Sequence, residues 1–174
     1  IIMANGLANN KIITEKDKKS FKLLKNKLDE ICANLSKMIV LDGEGITKAI
    51  IVSVKRTKTQ NDAFEIAKSV ATSNLIKLLF ISLYPNYEKI LLTIGNTNIN
   101  IKNLSLSVNG INIYKNGELN NNKSDINRLK DGFNKERKEH SIILDCGYNT
   151  KYEDYYYFTD ITQEYISVHS SYNV

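Results

Sequence analysis

The apolar residues Phe21, Leu24, Leu28, Ile31, Leu35 and Met38 recur at steps of three and four, and from Ile46 the pattern becomes β-branched and partly alternating. The first spacing is the period of an amphipathic helix and the second that of a strand. The helix is expected over Glu15–Leu41, with Thr14 as its N-cap. Asp42-Gly43-Glu44-Gly45 ends it, because glycine takes up backbone turns that residues carrying a Cβ resist. A helix fed through a tight turn into a strand over Ile46–Val54 belongs to an α/β architecture.

The remaining punctuation extends that pattern. A second helix is expected over Asn61–Thr72, burying Phe64, Ile66, Ala67, Val70 and Ala71. Leu75–Leu83 is apolar and fits helix or strand equally. Tyr84-Pro85-Asn86 breaks the chain, since a residue before proline avoids the helical region, and Tyr87–Ile94 restarts as a short helix. Asn109-Gly110 closes a hairpin between Leu104–Val108 and Ile111–Tyr114, and Asn116-Gly117 marks a second turn. After the polar loop Asn120–Lys123 come a charged helix, Ser124–Glu139, and two strands, Ser141–Asp145 and Tyr155–Val168. These elements assemble into an α+β layered sandwich with a mixed sheet, the helices 15–41 and 61–72 packed on it. No repeat or linker divides the chain, so 1–174 is expected as one domain.

Composition narrows the function classes. The chain is 42% hydrophobic and 25% charged, which is the make-up of a globular protein rather than a disordered one. Its net charge of +5 is densest at Lys16, Lys18, Lys19, Lys22, Lys25 and Lys27, but Glu15, Asp17, Asp29 and Glu30 are interleaved there. That stretch reads as the solvated side of a helix, and nucleic acid is discounted as a partner. Cys32, on the helical stripe, and Cys146, at the end of an apolar run, are expected as buried free thiols, in keeping with a reducing cytoplasm. No apolar run approaches the roughly 20 residues that span a bilayer. The opening Ile1-Ile2-Met3-Ala4-Asn5-Gly6 has neither a basic n-region nor a cleavage site. It reads as an apolar strand from the middle of a longer polypeptide.

Candidate chemistry is sparse. Asp42 and Glu44 sit just past a helix C-terminus, where the macrodipole favours cations, and a locally unfavourable choice of this kind points to a site. A carboxylate on a glycine-flanked turn can approach a ligand closely and pair with an ammonium group; the alternative is a polar turn and nothing more. Cys146 with His140 or His169 would make a thiol and base, but their spacing matches no known arrangement. The tyrosines Tyr152, Tyr155, Tyr156 and Tyr157 alternate across a strand and cannot form one stacking platform. No phosphate loop, nucleophile elbow or metal-ligand motif occurs, and no cofactor or metal is expected.

The stretch Met38-Ile39-Val40-Leu41-Asp42-Gly43-Glu44-Gly45-Ile46-Thr47-Lys48 resembles the DGEGxTK signature of the ornithine acetyltransferase, or glutamate N-acetyltransferase, family. Further points follow in the family's order. Ala4-Asn5-Gly6 is similar to its LANG segment. Ile66-Ala67-Lys68-Ser69-Val70-Ala71 with Ser73, Leu75 and Lys77 is similar to its AKxIAxSPLVK helix. Thr159-Asp160-Ile161-Thr162 with Glu164 and Tyr165 is similar to its TDLTxEYV stretch. Pro85-Asn86 stands where the family has DPNWGR, the surrounding positions Tyr84 and Tyr87 to Lys89 being changed.

The resemblance implies an enzyme of arginine biosynthesis that cleaves itself before a threonine. The freed threonine then carries acetyl from N-acetylornithine to glutamate, its own amine acting as base. It implies that this nucleophile and the oxyanion hole lie upstream, on an α chain of the same precursor, in a heterotetramer, and that no catalytic residue is in this chain. Glu44 matches the family's substrate-binding glutamate. His169 and Val174 occupy the positions of a substrate-binding asparagine and a terminal threonine, and both depart from the family's residue types. Acetyl-CoA stays open as a second donor. So do a non-catalytic binding or assembly subunit and a self-processing amidase or aminopeptidase of the same fold. The chain by itself is expected to be inactive and to self-associate.

Overall fold

The computed structural model describes residues 1–82, 86–134 and 139–171. The chain divides into two compact units, Ile1–Met38 and Ile39–Val174.

In the first unit the opening residues form no strand, and Ile1, Ile2 and Met3 are exposed. This corrects the expectation of a strand from the first residue: an apolar run supplies strand propensity, but pairing needs a partner. The long helix α1, Lys18–Leu41, follows, with its last residues in the second unit. Asp17, rather than Thr14, receives the first free amides: its carboxylate accepts the Ser20 N–H at 3.2 Å and its carbonyl the Phe21 N–H at 2.9 Å. Lys25 pairs with Asp29 at 2.5 Å and Lys27 with Glu30 at 2.7 Å along the exposed surface, each worth about 0.3–0.5 kcal/mol. No residue of α1 is buried, and Phe21, Leu24, Ile31, Leu35 and Met38 are exposed. Periodicity fixes which residues share a face and not what covers that face. Cys32 lies on the same stripe and is exposed too, which corrects its reading as a buried thiol.

The second unit is built on a mixed six-stranded sheet of order β4-β3-β2-β5-β1-β6. The strands are β1 (Ala49–Lys55), β2 (Ser105–Val108), β3 (Ile111–Lys115), β4 (Glu118–Leu119), β5 (Glu139–Asp145) and β6 (Glu153–Thr159). β1 and β5 are parallel, with Val52 opposite Ile142, and all other pairs are antiparallel. Between β1 and β2 run α2 (Gln60–Thr72), α3 (Asn74–Leu79) and α4 (Glu88–Gly95), part of the long connection that the parallel pair β1 and β5 needs. The ambiguous run after Leu75 is thus helical as far as Leu79, whereas Leu83, Tyr84 and Pro85 lie outside the described residues. Thr59 starts α2 with a capping box: its hydroxyl accepts the Asp62 N–H and Asp62 accepts the Thr59 N–H, both at 3.1 Å.

One sheet face carries Ile50, Val52, Val54, Leu106, Val108, Ile142, Leu144 and Phe158, and α2 buries Ile66, Ala67, Val70 and Ala71 in the same core, whereas Phe64, expected on that buried side, is exposed at its edge. Phe80 is fully buried between His140 and Phe158, with ring centroids at 5.5 and 6.1 Å. Tyr155 meets Tyr157 at 5.6 Å while Tyr156 meets Phe64 of α2 at 6.5 Å, so the tyrosines alternate across β6 as expected. The hairpin forms with Asn109 and Gly110 both at positive φ, 51° and 78°, as a type I′ turn requires. The charged helix is described over Lys123–Asn134 (α5), residues 135–138 lie outside the described residues, and Glu139, expected as its last residue, opens β5. The second departure lies at the end of the chain, where the expected strand 155–168 divides into β6 and a helix, α6 (Gln163–Ser170). Thr162 makes the break, because its hydroxyl accepts the Tyr165 N–H at 2.9 Å and so caps a helix.

Candidate functional site

The turn after α1 carries Glu44 on an exposed stretch between two glycines. Gly45 has a φ of +73°, and a Cβ built there would lie 2.5 Å from the backbone nitrogen of Tyr165. Only glycine fits, on grounds of both dihedral and space. The Thr162 hydroxyl donates to the Gly45 carbonyl, so the residue that caps α6 also holds the turn. β1 begins at Ala49 rather than at Ile46, and what occupies the gap is Asp160. Its carboxylate accepts the N–H of Thr47 at 3.0 Å, the N–H of Lys48 at 3.1 Å and the Thr47 hydroxyl. The Asp160 N–H in turn donates to the Lys48 carbonyl at 3.2 Å. Asp160 is wholly buried.

The site is thus a turn strapped to the first turn of a helix. His169 lies one turn further along that helix, its ring stacked on Tyr165 at 4.2 Å and its Nδ1 donating to the Tyr165 carbonyl at 2.9 Å. The fold brings the segment bearing Glu44 onto the helix bearing His169, although 125 positions separate them in sequence. Val174 lies outside the described residues. Asp160 and Thr162 stand in a motif, and the sequence assigned no role to either; Thr162 carries the local signal of a helix cap, whereas nothing local points to the distant partners of Asp160.

Other candidates fall away. Cys146 is buried, and burial, together with the charges of Asp145 and Asp62, pushes its thiol up to about 12, which leaves it protonated and a poor nucleophile. His140 stands at the other end of β5, six residues from Cys146, and so roughly 20 Å away along an extended strand. Its Nδ1 faces the Asn109 amide nitrogen at 3.0 Å. Among the described residues no three His, Cys, Asp or Glu side chains converge as they would around a metal ion, and no helix is long and apolar enough to cross a membrane. A cavity of about 290 Å³ opens at the opposite edge of the sheet, between Tyr87, Asn112, Asn120 and Asp125. It contains neither Glu44 nor His169. Part of its polar rim is engaged internally, with the Asn120 amide donating to the Asn112 carbonyl at 2.8 Å and to Asp125 at 2.9 Å.

The family model described as the ArgJ family matches residues 1–174. This chain belongs to the ArgJ family. The arginine biosynthesis bifunctional protein ArgJ of Oceanobacillus iheyensis is 31% identical over 175 residues, covering 99% of this chain and 41% of that protein. The protein of the same name from Caldanaerobacter subterraneus is 41% identical over 95 residues, covering 55% of this chain and 23% of its own length. The chain therefore spans well under half of these curated relatives. In three dimensions it is similar to the crystal structure of the arginine biosynthesis bifunctional protein ArgJ of Bacillus halodurans, with a TM-score of 0.87 at 22% identity over 99% of this chain and 79% of that one. At that identity the likeness establishes the mixed α/β fold.

Proposed function

We propose that this ArgJ-family chain is part of a glutamate N-acetyltransferase acting in the cytoplasm in arginine biosynthesis. In this reading the acyl-carrying threonine belongs to polypeptide outside these 174 residues, an α chain of the same precursor. Its hydroxyl attacks the amide of N-acetylornithine, forming an acetyl ester while the amide C–N bond breaks and ornithine leaves with the proton. The amine of glutamate then attacks the ester, the C–O bond breaks, and N-acetylglutamate leaves with the threonine hydroxyl restored.

Within this scheme Glu44 binds the amino-acid substrate. The α-nitrogen of N-acetylornithine is acylated, so its remaining ammonium is the one at the end of the side chain, and an exposed carboxylate on a fixed turn suits it. The observation that carries the reading is the strap between residues 45–48 and 160–165, because it brings the two described substrate-binding positions implied by the resemblance, 44 and 169, into one part of the fold. The test is an acetyl-exchange assay on the complete protein, upstream polypeptide included. Glu44→Ala is expected to raise KM for the amino-acid substrate by roughly tenfold or more; normal exchange by that variant would remove Glu44 from the mechanism.

A second reading, a subunit of the same fold with altered substrate choice or none, is favoured by His169. Its imidazole stands in place of the family's asparagine and is bonded to and stacked on its own helix, and a site deprived of an amide partner discriminates differently by orders of magnitude. Acetyl transfer to a range of amino acids separates the two: preference for glutamate supports the first, a different acceptor or none the second.

A further inference from the structure

We propose that Asp160 is a positioning residue for substrate binding, holding the Glu44 turn against the N-terminus of α6. This rests on the reading of Glu44 above and adds to it the residue through which the fold fixes the carboxylate's place. The antiparallel ladder between β1 and β6 ends with Ala49 opposite Thr159. Residues 46–48 lie beyond it and form no strand, so sheet pairing does not hold the chain that leads back to Glu44. Asp160, the first residue past the ladder, takes over. One carboxylate oxygen receives two successive backbone amides, the other receives the Thr47 hydroxyl, and its own N–H closes the set on the Lys48 carbonyl.

Three donors converge on two oxygens and a carboxylate accepts from all three; an asparagine would keep one oxygen for the two amides, but its NH2 could only donate to the Thr47 hydroxyl and the charge would be lost. Bonds to a charged acceptor are also about twice as strong as neutral ones. Two residues on, Thr162 grips Gly45, next to Glu44 itself. The backbone is therefore held on the C-terminal side of Glu44 at residues 45, 47 and 48, all from one segment. A side chain that must meet a ligand within about half an ångström needs such support, since an exposed glycine-flanked turn otherwise samples many positions. Asp160 itself is wholly buried and acts through the backbone of 45–48 rather than on the ligand.

The experiment uses the complete protein and compares Asp160→Asn, Glu44→Gln and the double variant by KM and kcat for acetyl exchange, with backbone amide exchange followed across 44–48. Val52→Ala, a core change far from the turn, controls for lost stability. Asp160→Asn is expected to raise KM roughly ten- to a hundredfold, to speed amide exchange at Thr47 and Lys48, and to add little to KM once Glu44 is already Gln. Thr47→Ser, which keeps the hydroxyl, is expected to retain near-normal KM. A purely structural role would move KM as little as Val52→Ala does, or would add in full to Glu44→Gln, and either result overturns the proposal. Faster amide exchange without a change in KM overturns it as well. Normal KM in Glu44→Gln overturns the reading of Glu44 itself; impaired Glu44→Gln beside normal Asp160→Asn overturns only the positioning role.

Discussion

Asp160 and Thr47, 113 positions apart, are joined by two hydrogen bonds, from the Thr47 amide at 3.0 Å and from its hydroxyl, both to the Asp160 carboxylate. The pair stands where the sheet ladder stops and the site begins, so it couples the stability of β1 and β6 to the placement of a turn that neither strand contains. The two Lys48–Asp160 bonds and the Thr162 hydroxyl on Gly45 extend the same contact.

Gly45 is the position where that coupling leaves no room for substitution. With φ at +73° and a prospective Cβ 2.5 Å from the Tyr165 nitrogen and 2.6 Å from its Cα, an alanine meets rigid backbone on both counts. Left-handed strain alone costs roughly 1–2 kcal/mol, and the displaced helix start adds to it. Gly45→Ala is expected to lower unfolding free energy by more than about 2 kcal/mol in denaturant titration and to reduce substrate binding in the complete protein. A variant as stable as the parent would mean that α6 does not dock on this turn.

Thr162 serves two partners with one hydroxyl, accepting from Tyr165 and donating to Gly45. Thr162→Ser preserves both and is expected to be near neutral, whereas Thr162→Val loses the cap and the tether and should cost about 1–2 kcal/mol. Thermal unfolding of the two variants side by side measures the difference; equal stabilities would show that the hydroxyl contributes nothing.

The turn carrying Glu44, the α2 face apart from Phe64, the Asn109-Gly110 hairpin and the mixed α/β class are legible from local spacing, because each rests on a period or a turn residue within a few positions. Three features were not. The burial of the α1 stripe failed, since an amphipathic pattern fixes a face without naming its cover. The end of the chain failed because 155–168 is mostly aromatic and β-branched, and the Thr162 cap, a three-residue signal, turns its second half into helix. The role of Asp160 could not be read locally at all: its partners are over a hundred residues away, and a lone aspartate at a strand end looks like any turn former.

The two cysteines are expected to separate cleanly toward a thiol reagent. Cys32 is exposed, while Cys146 is buried and its thiol held protonated by burial and by neighbouring Asp145 and Asp62. Thiolate is the reactive form, so under native conditions at neutral pH labelling followed by peptide mass analysis should find the adduct on Cys32 alone. Cys146 should label only at the rate of unfolding. Equal labelling of both would place Cys146 in contact with solvent.

The same thiol makes stability fall in alkali. Burial raises the Cys146 pKa from an ordinary value near 9.0 to about 12 and raises the Tyr87 phenol above its ordinary 10.0. In both cases the folded chain holds its proton where the unfolded chain has released it. Above pH 9 the unfolded state therefore binds fewer protons than the native state, and unfolding free energy must decrease with pH by linkage. The contribution is fully present below about pH 9 and is lost as the pH rises towards 12. Denaturant titrations at steps from pH 8 to 11 are expected to show that decline. Cys146→Ala should flatten the part beginning near pH 9, and Tyr87→Phe the part beginning near pH 10, each against its own lower baseline from lost packing. A slope unchanged in both variants would mean that neither group is held protonated by the fold.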